Sequence, residues 1–203
     1  MPDGKLDPRM VRSRAALVIA MTELLDQRGV EDITITDVVR QAGVTRPTFY
    51  QHFADILGIA RAACFFRLEA AFPPENSHAE ADTNKSAQEL LTEVTRDTTA
   101  ILKHMKERRD FYGRVLRGAG SVELFESLVQ FLEQRLISDP AMKIQSSVAI
   151  TPADRARILA GGVVWMVTRW LDSDFQGENS VSAMADRIAG ALLVLRSDAN
   201  MTG

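Results

Sequence analysis

One stretch limits the possible folds of this chain more than any other: Thr34 to Phe53, TITDVVRQAGVTRPTFYQHF, which reads as two short helices joined by a tight turn. Thr34 can cap a first helix, with Asp37 three residues on in the reciprocal position of a capping box. Val38, Val39 and Ala42 give that helix an apolar face, and Gly43 follows where the chain must turn sharply. Thr45 can cap a second helix, and Pro47 in its first turn needs no backbone donor there. Phe49 and Phe53, four apart, pin this second helix to a core and leave Arg46, Thr48, Tyr50, Gln51 and His52 free. A short helix with hydrogen-bond donors and no acids is what reading a DNA major groove requires.

The chemistry around this segment narrows the class further. The net charge of the 203 residues is −3, so nucleic acid does not coat the whole surface. A site-specific binder needs only a favourable local field at its reading face. No acid lies between Arg40 and His52, and Arg9, Arg12 and Arg14 cluster ahead of the first helix. Hydrophobic residues make up 46% and charged residues 25%, the balance of a globular chain with a proper core. The longest strongly apolar run, Ile158 to Val167, is too short to span a bilayer, and MPDGKLDPRM holds no apolar signal core. A soluble cytoplasmic protein is the expectation. The single cysteine, Cys64, flanked by Ala62, Ala63 and Phe65, suits a reducing compartment and reads as a small buried hydrophobe.

Helical periodicity dominates throughout, and no alternating run long enough for a sheet is seen. Leu17, Met21, Leu24 and Leu25 stripe a first helix that Gly29 can stop. Asp55 can cap a fourth helix running to about Ala71, which links the head to the rest. Pro73, Pro74 and the polar ENSHAEADTNKS form a long connection. Helices are expected from about Ala87 to Lys106, Phe111 to Arg117, Val122 to Ile137, Ala153 to Leu171 and Val181 to Arg196, with a loop over Ser138 to Pro152. In the penultimate helix, ILAGGVVWMVT is apolar all round and must be covered on more than one side. Gly161 and Gly162 cost about 1 kcal/mol each relative to Ala, tolerable where they permit close backbone approach. The last helix offers Ala185, Ala189 and Gly190 beside Ile188, Leu192 and Leu195. Two such helices meeting their symmetry mates make a four-helix dimer seam, for which we select Gly161, Gly162, Ala185, Ala189, Gly190 and Leu192.

No catalytic constellation is present in the sequence. His52, His78 and His104 lie in different segments without ligand-like spacing to one another or to Cys64, so no metal or cofactor is expected. A phosphate-cradling glycine loop and a serine-elbow motif are both missing.

From Arg14 (RAALVIAMTELLDQRG) through the Gly-Val-Thr turn, Pro-Thr-Phe-Tyr and His-Phe to Ala60, the chain resembles the DNA-binding domain of the TetR family of bacterial transcriptional regulators. The resemblance implies an all-α fold: a three-helix head over residues 9–54, and a helical effector-binding and dimerisation body over 55–198. It implies a homodimer joined through the last two helices, binding double-stranded operator DNA. Carried over by position, Arg46, Pro47 and Thr48 meet base edges. Arg46 suits a guanine and Pro47 a thymine methyl. Tyr50 and His52 match the phosphate-gripping aromatic and histidine, and Gln51 reaches phosphate or base. Thr34, Thr36 and Thr45 bring hydroxyls and helix amides toward the backbone phosphates. Val39 stands where a small alanine is common, and Ile56 where a lysine usually opens the fourth helix. The resemblance also implies an effector pocket between helices of the body. The aromatic and methionine supply there selects Phe65, Phe66, Met105, Phe111, Tyr112, Trp165 and Met166 for a small apolar or aromatic effector. The expected function is a ligand-responsive repressor released from its operator. The rival is a helical small-molecule-binding protein whose impaired head acts through a protein partner.

Overall fold

Capping chemistry sets most of the helix boundaries. The computed structural model describes residues 7–73, 86–118, 121–138 and 151–197. The described residues form α1 (Pro8–Leu25), α2 (Ile35–Ala42), α3 (Arg46–His52), α4 (Ile56–Glu69), α5 (Ala87–Glu107), α6 (Arg109–Gly118), α7 (Ser121–Ser138), α8 (Pro152–Leu171) and α9 (Val181–Ser197), with no strand among them. Asp7, Thr34, Thr45, Asp55 and Thr151 each accept a backbone amide at the start of a helix. The polar connection after Pro73, His78, and most of the loop expected over Ser138 to Pro152 lie outside the described residues, as does the side chain of Leu195.

By packing, the chain divides into two compact units: residues 1–70 with 108–124, and 71–107 with 125–203. The first unit thus recruits α6 from beyond α5, an addition that the division at residue 54 drawn from sequence does not anticipate. Its core holds Leu17, Met21 and Leu25 of α1, Val38 of α2, Phe49 of α3, Ile59 and Ala63 of α4, and Phe111, Tyr112 and Val115 of α6, each at most 2% exposed. Helix α1 ends at Leu25, four residues before Gly29. At that end Arg114 of α6 donates from Nη1 to the carbonyls of Leu25 and Asp26, both at 2.9 Å, satisfying acceptors that the helix leaves open. Arg67 of α4 grips both carboxylate oxygens of Asp26 and stacks 4.1 Å above the Phe111 ring. At Gly118 a Cβ would sit 2.8 Å from the Val30 Cβ, so the end of α6 approaches that turn more closely than any larger residue allows.

In the second unit α9 packs chiefly along α5. Leu136 of α7 joins Ala156, Leu159 and Ala160 of α8 in a small cluster that Val129, Leu132 and Leu192 flank. Arg157 ties α8 to Glu133 of α7 at 3.0 Å. The α8–α9 connection closes on Trp170, whose indole donates to the Asn179 carbonyl at 2.6 Å and whose ring meets Phe175 edge-on. Phe175 adopts φ 59°, a left-handed conformation rare for so bulky a residue, held by its burial against Trp170. Among the described residues, no helix is long and apolar enough to cross a membrane.

Candidate nucleic-acid interface

The turn between α2 and α3 is built by its own residues. Thr34 and Asp37 form the reciprocal box: the Thr34 amide donates to Oδ2 of Asp37 at 3.1 Å, and the Asp37 amide to Oγ1 of Thr34 at 3.2 Å. Gly43 takes φ 65°, a left-handed cap that lets the Val44 amide reach the Val39 carbonyl at 3.0 Å. The Val39 side chain is buried. Replacing Thr34 with Ala is expected to lower the stability of the head by about 1 kcal/mol, read from chemical denaturation. An unchanged midpoint would show that the box contributes nothing.

Asp37 is the only acid in α2, and its charge is absorbed locally. Arg28 lies 3.2 Å and Arg40 2.7 Å from its two oxygens. Thr34, by side chain and then by backbone, holds the carboxyl below its ordinary range, with the two arginines adding to the effect. The face therefore stays net positive despite that carboxylate.

Helix α3 buries Phe49 and Phe53 and exposes Arg46, Pro47, Tyr50 and Gln51, as the spacing predicts. Arg46 extends with one contact to Thr36, Nη1 to Oγ1 at 3.4 Å. Tyr50 is 54% exposed, its ring set edge-on to Phe49. The threonines are less free than their positions suggest. Thr34 donates its hydroxyl to Asp37 at 2.8 Å, and the Thr45 and Thr48 hydroxyls lie 2.9 Å apart while Thr45 also caps α3. Nor is His52 free: it is half-buried, with Nε2 2.8 Å from Oγ of Ser13 in α1. Burial first, then the charge of Arg14, holds its ring below the usual 6.5. Arg14 itself lies 5.4 Å from the centre of the Phe53 ring. Sequence reasoning noted the arginine cluster but missed Ser13, because nothing local marks a serine whose partner lies in another helix. Ile56 opens α4 half-buried behind the Asp55 cap.

The residues selected for an effector pocket fall in both units. Phe65, Phe66, Phe111 and Tyr112 belong to the first, Met105, Trp165 and Met166 to the second. Phe111 and Tyr112 are 2% exposed and fill the core of the first unit, while Phe66 and Trp165 are 50% and 61% exposed. Cys64 sits beside this core fully enclosed, burial pushing its thiol up to about 12. On the seam expected from α8 and α9, Gly162 is exposed and Gly161 and Gly190 are half-buried. Leu192 packs on the α7–α8 cluster. Ala185 and Ala189 are 0% exposed within the chain, so they have no surface to offer a second copy. A helix apolar on several faces does not reveal which small residues turn inward, and here the pair turns inward.

An all-helical chain whose N-terminal unit sets a capped, acid-free helix outward after a left-handed glycine turn is a helix-turn-helix protein. Residues 17–63 match the family model described as bacterial regulatory proteins, tetR family, and the head of this chain is a TetR-family head. No curated protein matches the chain. Among solved structures, the TetR family repressor AlkX from Dietzia sp. strain DQ12-45-1b superposes with a TM-score of 0.60 at 19% identity, over 96% of this chain and 100% of that one. Native NalD of Pseudomonas aeruginosa gives 0.51 at 18% identity, over 96% and 100%. A TetR-family regulator from Pectobacterium atrosepticum gives 0.51 at 18%, over 94% and 95%. At these identities the likeness is one of fold, and it extends over nearly the full length of each chain.

Proposed function

We propose that the protein is a homodimeric, sequence-specific DNA-binding repressor that a small apolar or aromatic effector releases from its operator. The observation that carries this reading is the outward face of α3. Arg46, Pro47, Tyr50 and Gln51 stand exposed on a helix whose Phe49 anchor is fully buried, and the acid of α2, Asp37, is paired with two arginines. Repression takes its direction from the printed descriptions of AlkX and NalD as repressors. The test is selection of bound fragments from genomic DNA. Recovery of a shared two-fold motif with half-sites about one helical turn apart, or a multiple of it, supports the reading. Recovery of unrelated sequences at equal affinity defeats it.

Dimerisation draws support from an open face of α8. Ile158 and Trp165 are 64% and 61% exposed, and a Cβ built on Gly161, Gly162 or Gly190 meets nothing within 4 Å. Among the described residues their small size serves no close approach, and a packed partner helix would use it. Effector release needs only unequal affinity of the ligand for two spacings of the heads. Reciprocity then requires operator DNA to weaken effector binding by the same factor. Titrating an effector with and without operator is expected to show that difference, and equal affinities would remove the inducer mechanism.

A further inference from the structure

The contact between α1 and the end of α3 carries a consequence beyond anchorage, and it rests on the DNA-binding reading above. Ser13 has one hydroxyl proton and two neighbours: the Met10 carbonyl at 3.1 Å and Nε2 of His52 at 2.8 Å. A carbonyl offers only lone pairs, so the hydroxyl donates there. Both bonds coexist only if Nε2 of His52 carries a hydrogen and donates it to Oγ of Ser13. In the neutral ring Nδ1 is then a bare lone pair. A phosphodiester oxygen also presents only lone pairs, so the neutral ring in this tautomer has nothing with which to hold it.

We propose that Ser13 is a positioning residue that fixes the Nε2–H tautomer of His52, so that His52 grips a DNA phosphate only after taking up a second proton from solvent at Nδ1. Operator binding is then proton-linked. In the free chain the ring is kept neutral at pH 7 by its burial and by Arg14. Arg14 is the charged group that bears on the ring. A phosphate seated between Arg14 and the ring turns a repulsion between two cations into a shared attraction to one anion.

The two effects of acid have opposite sign. The depressed ring makes the unfolded chain take up a proton first as pH falls below 6.5, so fold stability drops from there to the folded-state value. DNA affinity is expected to rise over the same range, which a purely structural role for His52 does not produce. The experiment uses a duplex recovered by the genomic selection, titrated from about pH 8 to about pH 6, with calorimetry in two buffers of different ionisation heat. Wild type is expected to tighten several-fold and to take up about one proton per subunit, with His52→Gln flat by comparison. Ser13→Ala frees the ring to carry its neutral proton on Nδ1. That variant is expected to bind more tightly than wild type near pH 8, because its neutral ring can donate from Nδ1, and to tighten less on acidification. Nitrogen-15 shifts of the ring should show the Nε2–H form in the free wild type. A chain that binds the duplex with a flat profile, or whose ring shows the Nδ1–H form, overturns the proposal alone. A chain that binds no selected duplex at any pH overturns both this and the functional reading.

Discussion

Gly162→Arg is expected to yield a folded, helical monomer at concentrations where the wild type is a dimer. Gly162 is exposed, and among the described residues nothing lies within 4 Å of a Cβ built there, so an arginine is tolerated in the single chain. Leaving glycine also favours the helix by up to about 1 kcal/mol, and the melting of the isolated chain should not suffer. Across a close-packed seam the same guanidinium is an unpaired charge taken out of water, a loss of about 3–5 kcal/mol. Gly190→Arg on α9 should behave alike, since the space around Gly190 is equally open. Sedimentation equilibrium with circular dichroism separates the outcomes. Two variants that remain dimers would place the interface elsewhere on the molecule.

Arg46→Ala is expected to cost about 1–3 kcal/mol in binding to the selected operator while relaxing preference at one base pair. The side chain is exposed, with a single long contact to Thr36, so its removal leaves the head folded. A fork-shaped guanidinium meeting guanine at two atoms accounts for both the size of the loss and its restriction to one position. Competition with unrelated duplex is the control. If specific and non-specific affinities fall by the same factor, Arg46 touches phosphate and reads no base.

What the chain declares in advance is mostly what lies within a few residues of itself. Thr34 with Asp37, Thr45 with Pro47, and Asp55 each mark a helix start through bonds spanning three residues, and each start falls where those signals put it. The exposed edge of α3 follows from the four-residue spacing of Phe49 and Phe53. The features hidden from sequence all depend on distant partners. Gly29 reads as the stop of α1, yet the helix ends at Leu25, where Arg114 holds the carbonyls of Leu25 and Asp26. Ala185 and Ala189 looked like seam residues because α9 carries small side chains on more than one face, and helical period alone does not fix its rotation against α5. Phe111 and Tyr112 looked like pocket lining because aromatic composition does not distinguish a filled core from a hollow one. His52 reads as free in the sequence for want of any local sign of Ser13.

The first unit is assembled from two separated pieces of chain, and that has a bearing on how such regulators can be rebuilt. Helix α6 supplies Phe111, Tyr112 and Val115 to the interior beneath α1 and α4, and Arg114 to the end of α1. A head severed after Ala70 would leave behind the residues that seal it, uncovering parts of α4 and the carbonyls at the end of α1. The reading head is therefore not a cassette. A chimera that grafts it onto a foreign body must bring Arg109–Gly118 along or match the surface that segment covers, and recombination at the obvious joint would more often produce an unstable hybrid than a regulator with a new signal.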